Sequence, residues 1–210
     1  MIEGSVVSDI GTDHAYLPLY LIRNGLCSRV YASDIALGPL SRAAQTIRGF
    51  ESRIFLSVGD GLNAVPEQET DCIVIAGMGG DTIEHIIDAC GWSFEGKVLI
   101  LQAMSKIPEL RKWLWEHGFD VTDERLSEDS GTLYRTMKVV TRPCPSPEPW
   151  ELWAGKSLFE RNDPLLTRWI DNCIEKLERA VVGMKSGEIE PPRQLIEALE
   201  ELKERRSIID

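Results

Sequence analysis

The 210-residue chain carries 34 acidic against 23 basic side chains, a net charge of −11, and 43% hydrophobic residues. That is room for one sizeable α/β core and a small further module. Its average field repels polyanions, so a nucleic-acid substrate would need a local basic patch, and composition by itself leans towards a small molecule.

Residues 5–10 read as a short buried strand. Residues 15–24 follow as a helix, which Gly25 is placed to end. A second strand is expected over 29–33 and a second helix over 39–50, with Pro39 near its first turn. Strands at 54–58 and 71–76 come next, then a helix over 82–89 and a strand over 97–102. Residues 108–117 make a helix whose Leu110, Trp113 and Leu114 share one face, closed by Gly118. The strands 120–126 and 133–141 have no helix between them and form an antiparallel hairpin. Residues 142–149 hold four prolines and read as a linker. Beyond it, 165–184 and 193–206 repeat apolar residues every three or four positions, an antiparallel, coiled-coil-like helical hairpin for packing or for substrate binding. The expected architecture is α/β: a Rossmann-like, mostly parallel sheet with an antiparallel terminal hairpin in 1–143, and a C-terminal helical domain in 144–210. No apolar run is long enough to span a bilayer, and Met1-Ile2-Glu3-Gly4 has no leader character. Five scattered cysteines without a CxxC pair argue against a disulfide framework and a zinc site. A reduced, cytoplasmic protein without a metal is expected.

The polar residues that carry chemistry fall at strand ends. The first strand runs into Asp9-Ile10-Gly11-Thr12-Asp13-His14-Ala15. Gly11 allows a sharp turn against a ligand, and Ala15 allows close helix packing. Asp13 would repel a pyrophosphate seated on the helix N-terminus, which argues against NAD and FAD, whereas the ammonium and sulfonium of S-adenosylmethionine tolerate it. Asp34, followed by Ile35, suits the two hydroxyls of a ribose, or else caps the next helix. Asp60-Gly61 suits an adenine amine, or else forms a local turn. Gly77-Met78-Gly79-Gly80 offers bare backbone to a ligand, or else a flexible loop. His14 is either a base or a polar packing residue. Gln102, after the fifth strand, is a candidate for reading the target. The site set is therefore Asp9, Gly11, Thr12, Asp34, Ile35, Asp60, Gly61 and Gly77 to Gly80 for the cofactor, with Asp13, His14 and Gln102 for the reaction.

A parallel sheet with a terminal antiparallel hairpin is the usual plan of class I methyltransferases. The strings 9–18, 59–62, 76–80 and 99–105 resemble the bacterial tRNA (adenine-22-N1)-methyltransferases. So do 108–118, Leu133-Tyr134-Arg135, Gly155-Lys156 and 162–166, so the resemblance covers nearly the whole chain. It implies methyl transfer from S-adenosylmethionine to N1 of an adenine in tRNA, with the C-terminal helices helping to hold the tRNA. Two features depart from the family pattern. The chain begins almost at its first strand, and Ala103 stands where the family has proline, which loosens the backbone beside the presumed adenine pocket. Two alternatives stand beside this reading: a methyltransferase of a small molecule, and a non-catalytic tRNA-binding scaffold. The local basic clusters are Arg42, Arg48 and Arg53; Lys106, Arg111 and Lys112; Arg161 and Arg168; and Lys176 and Arg179.

Overall fold

A computed structural model describes residues 4–209. Seven strands form one sheet: β1 (Val6–Ile10), β2 (Arg29–Asp34), β3 (Ile54–Val58), β4 (Cys72–Gly79), β5 (Val98–Ser105), β6 (Phe119–Asp129) and β7 (Thr132–Thr141). Their order is β3-β2-β1-β4-β5-β7-β6. The first five are mutually parallel, β7 runs antiparallel to β5, and β6 pairs antiparallel with β7. This is the Rossmann-like sheet with a terminal hairpin that the alternation of elements led us to expect.

The helices α1 (Tyr16–Arg23) and α2 (Leu37–Thr46) cover one face, and α3 (Gly80–Ala89) and α4 (Ile107–Glu116) the other. The two-residue period of β4 divides its side chains accordingly. Cys72 and Val74 pack with Leu21, Ile22, Leu40 and Ala43, whereas Ile73 and Ile75 pack with Ile83, Ile87, Leu110 and Leu114. A third core lies in the tail, where α5 (Glu151–Ala154), α6 (Lys156–Glu160), α7 (Leu166–Ser186) and α8 (Arg193–Ile208) enclose Trp150, Trp169, Ile170, Leu177 and Leu202. Each such aliphatic side chain contributes about 1.5–3 kcal/mol through its burial.

The tail is locked onto the hairpin through a buried carboxylate. Glu124 of β6 accepts from Arg111 of α4 at 2.6 Å and from Ser157 of α6 at 3.2 Å. Arg135 of β7 lies 3.5 Å from the same carboxylate and donates to the Trp153 carbonyl at 2.9 Å. A Cβ on Gly155 would stand 1.5 Å from Glu124 Oε2, so this contact requires glycine.

Several boundaries differ from the sequence reading. The segment after the fourth strand is not a loop. Gly77, at φ +76°, is an extra residue in a bulge, and β4 resumes pairing at Met78 and Gly79 before Gly80 starts α3 at once. The second helix begins at Leu37 and ends at Thr46, because the chain turns through Gly49 at φ +85° to reach β3. The two short helices α5 and α6 have no counterpart in the periodicity.

Candidate functional site

The chain connects β1 to neighbours on either side, β2 and then β4, so the crevice outside the carboxyl ends of β1 and β4 is the place where open α/β sheets bind ligands. The residues singled out by motif gather there. Gly11 (φ +73°) leaves β1, and a Cβ on it would meet Met78 Cε at 2.1 Å. The Met78 side chain of the β4 bulge thus packs directly on the bare backbone of the first turn, where a Cβ would displace it.

The turn is tied to the end of β2. The backbone N–H groups of Gly11 and Thr12 both donate to the Ser33 carbonyl at 2.9 Å. Asp13 N–H donates to Asp34 Oδ2 at 3.1 Å, and Ala36 N–H to Asp34 Oδ1 at 2.9 Å. A carboxylate has about four acceptor positions, so Asp34 keeps one on each oxygen for a pair of ligand hydroxyls. The capping alternative is therefore met by backbone bonds that leave this capacity intact. Asp13 and Ala15 both hold left-handed backbone, at φ +50° and +56°. Each costs of order 1–2 kcal/mol for a residue with a Cβ. Strain of this kind, concentrated at a strand-to-helix turn, is the mark of a functional segment.

Asp60 follows β3, the strand beside β2, and precedes the 3-10 turn Gly61–Ala64. It is exposed, and although it occupies the capping position its carboxylate makes no capping bond. It is therefore available to a ligand. Asp9 lies within β1 at 5% exposure, and its burial pushes the carboxyl up to about 6. Asp9, Asp13, Asp34 and Asp60 thus stand at the ends of three adjacent strands. Such an acceptor set suits a ligand with hydroxyl and amine donors and positive charge, and it repels a polyphosphate.

Gln102 is placed differently from a free reader of the target. Its Oε1 accepts the Gly77 N–H at 2.9 Å, so it props the β4 bulge. Its amide NH₂ reaches only the Met104 sulfur, at 3.4 Å, which leaves that donor weakly engaged. His14 is also committed. Its Nδ1 bonds Asp13, and its Nε2 lies 3.2 Å from Arg42 Nη1. A guanidinium only donates, so Nε2 accepts and the Nδ1 proton points to Asp13. His14 is then a neutral link between a carboxylate and a guanidinium. Arg42 was legible only as one of several basic residues, because its partner lies 28 positions away.

Around the acids, Ile35 and Leu37 are 72% exposed, Val58 53% and Met104 54%. Apolar side chains left bare at strand ends offer an apolar bed for a flat ligand. Only Ile35 among them was singled out from sequence, since isolated residues in turns carry no periodicity.

The cavity of about 520 Å³ at the linker lies elsewhere. Its cations are already paired: Arg142 with Asp120, Lys156 with Glu160 and Arg111 with Glu124. Among the described residues no group of three His, Cys, Asp or Glu is disposed to hold a metal ion, and no helix is long and apolar enough to cross a membrane.

Comparison with known proteins matches residues 1–137 to a family described as a methyltransferase domain. A tRNA (adenine(22)-N(1))-methyltransferase of Bacillus subtilis is 39% identical over 138 residues, which are 64% of this chain and 58% of that protein. The chain therefore spans less than two thirds of that relative in the sequence alignment. The crystal structure of the B. subtilis m1A22 tRNA methyltransferase TrmK superposes with a TM-score of 0.78 at 27% identity, covering 99% of this chain and 91% of that one. The structure of M. capricolum TrmK in complex with S-adenosyl-homocysteine gives a TM-score of 0.73 at 26% identity, with 100% and 91% covered. The resemblance carried by the motifs is borne out by these matches.

Proposed function

The chain belongs to the methyltransferase-domain family, and from that premise we propose that it transfers a methyl group from S-adenosylmethionine to N1 of adenine 22 in tRNA. The observation that carries this reading is the set of carboxylates at adjacent strand ends around a backbone bared by Gly11 and Gly77. That acceptor set fits the cofactor. Asp34 has acceptor positions left for ribose hydroxyls, Asp60 is free for an adenine amine, and Asp9 and Asp13 offset positive charge. Thr12, Gly61, Gly79 and Gly80 complete the bed with Ile35 and Met78. When bound, S-adenosylmethionine supplies an electrophilic methyl group.

The chain's own residues then have to position and dry the reactants. N1 of adenine carries its lone pair at neutral pH, so no side chain needs to take a proton before attack. N1 lies on the Watson–Crick edge, so the base must be unpaired or turned out of its stack. Methylation leaves a positive charge on the base. Asp13, held at the mouth by His14, is placed to stabilise it, and Gln102 fixes the bulge against which the target sits. An Asn/Asp-Pro-Pro-aromatic motif, frequent where exocyclic amines are methylated, is absent from β4, which favours the ring nitrogen.

Residues 1–143 would carry the cofactor and the reaction, and residues 144–210 would form the accessory domain, in a protein of the cytoplasm. A small-molecule acceptor is the second reading, favoured by the net charge of −11. The discriminating experiment is transfer from labelled S-adenosylmethionine to unmodified bacterial tRNA, followed by nuclease digestion. Labelled 1-methyladenosine is the expected product. Cofactor binding without incorporation into tRNA would overturn the tRNA reading.

A further inference from the structure

The acidic chain contains one long tract almost free of acid. From His14 to Phe50 there are four arginines, Arg23, Arg29, Arg42 and Arg48, and a single carboxylate, Asp34. The tract is α1, β2 and α2. Arg29 is bound to Glu69 at 2.7 Å, but Arg23, Arg42 and Arg48 form no ion pair among the described residues. The tail is the opposite case. Residues 144–210 carry ten basic and fourteen acidic side chains. Eight of those ten cations are ion-paired among the described residues, leaving Lys176 and Lys185. Outside the tail the other cations without an ion pair among the described residues are Arg53, Lys97 and Lys138, of which Arg53 and Lys97 donate to backbone carbonyls, so the α1–α2 face that flanks the site holds the largest group of uncompensated arginines.

That face also carries aromatic rings. Tyr16, Tyr20 and Arg23 recur at i, i+4 and i+7, one stripe along α1 about 10 Å long. Tyr16 is 70% and Tyr20 59% exposed, which is unusual for side chains of that size. The stripe starts at the site: the Tyr16 ring stacks on His14, centroids 5.7 Å apart, and Arg42 of α2 donates to the same imidazole. It ends where Arg23 lies over the Phe50 ring at 5.3 Å, just past Arg48.

Exposed rings alternating with unpaired guanidiniums match a ligand that offers flat π faces and phosphates together, which is RNA. We propose that the α1–α2 face is the RNA-docking surface. Tyr16 and Tyr20 stack on unpaired bases, Arg23, Arg42 and Arg48 bond phosphates, and the helical tail supplies little of the binding. This rests on the tRNA reading above and departs from the role that family resemblance implies for the tail.

The test measures binding of unmodified tRNA to the full chain by fluorescence anisotropy at several salt concentrations, with S-adenosylmethionine affinity measured in parallel by calorimetry. Arg23→Glu with Arg48→Glu should raise the tRNA Kd at least tenfold and reduce the slope of log K against log salt by about 1.4–1.8, at about 0.7–0.9 per phosphate contact. Cofactor affinity should be unchanged. Tyr20→Ala should weaken tRNA binding by about tenfold and Tyr20→Phe by less than twofold, since stacking needs the ring and not the hydroxyl. Lys176→Glu with Lys185→Glu should change the Kd by less than twofold. Full tRNA affinity in the double arginine variant, or a larger loss in the tail variant, overturns the surface while leaving the enzymatic reading intact. Absence of tRNA binding by the unaltered chain overturns both. A dimer of the unaltered chain that the arginine substitutions dissociate assigns the face to a second copy and overturns the proposal.

Discussion

Replacing Asp9 with asparagine should make the protein more stable at neutral pH. The carboxyl lies in β1 at 5% exposure, and burial raises it from 3.8 to about 6. The folded chain therefore holds this proton up to about pH 6, while the unfolded chain releases it near pH 4. Between those values the folded state binds the extra proton, so the contribution of Asp9 to stability falls as pH rises through this window and levels off above it. A shift of roughly two units corresponds to about 3 kcal/mol at 1.36 kcal/mol per unit. Asparagine keeps the shape and does not titrate. The stability difference between Asp9→Asn and the unaltered chain should therefore grow in favour of the variant by about 2–2.5 kcal/mol from pH 4 to pH 7.5, the remainder falling below pH 4 where the unfolded carboxyl begins to ionise. Urea unfolding followed by tryptophan fluorescence at both pH values reads it directly. A difference that stays flat across this range, or that moves the other way, would refute the claim that the fold holds an ionised, desolvated carboxylate at the site. The gain should come with weaker cofactor binding, because a costly buried charge at a site is retained for what it binds.

Asp34→Ala should raise the S-adenosylmethionine Kd about ten- to hundredfold in calorimetry, because it removes the two hydrogen bonds proposed to the ribose and the anchor for Asp13 and Ala36. An unchanged affinity would remove Asp34 from the ribose. Gly11→Ala places a Cβ 2.1 Å from Met78 Cε at φ +73°, and should lower stability by about 1–2 kcal/mol in thermal or urea unfolding. Glu124→Gln strands Arg111 and Arg135 without a counter-charge and should destabilise by about 3–5 kcal/mol, with the tail loosening first in hydrogen exchange. Asp13→Ala should reduce kcat on tRNA at least tenfold and change cofactor affinity by less than threefold. Unaltered turnover would refute its placement at the target.

The order of elements was legible because each one repeats its apolar residues at its own period, and the hairpin because two strand patterns abut without a helix between them. Boundaries were less legible wherever glycine broke a pattern. Gly77 looks like the start of a loop, yet β4 pairs on through Met78 and Gly79, because a bulge absorbs one residue without ending a strand. The acids of the site could be located because strand ends follow from strand positions. Their partners could not. The Asp13–His14–Arg42 chain, the bond from Gly77 to Gln102 and the Glu124 network each join residues far apart in sequence. Contacts of that kind depend on how helices and strands dock, and no local spacing encodes them.

The charge of the molecule makes sense once it is divided by location. A net −11 suits a site that gathers carboxylates for a cationic cofactor, and it opposes a polyanionic substrate everywhere else. In the proposed arrangement the two ligands are separated by sign. The cofactor meets the acids at the ends of β1, β2 and β3, and RNA meets the acid-poor α1–α2 face. The boundary runs through three side chains, with Asp13 on one side, Arg42 on the other and His14 bonded to both. A methyl group that leaves a cationic cofactor for a neutral base carries positive charge across that boundary. The carboxylate that stands there is Asp13, held in left-handed backbone by its neighbours. In the proposed reaction its charge would act on the base as that base becomes cationic, so its loss should appear in turnover more than in binding.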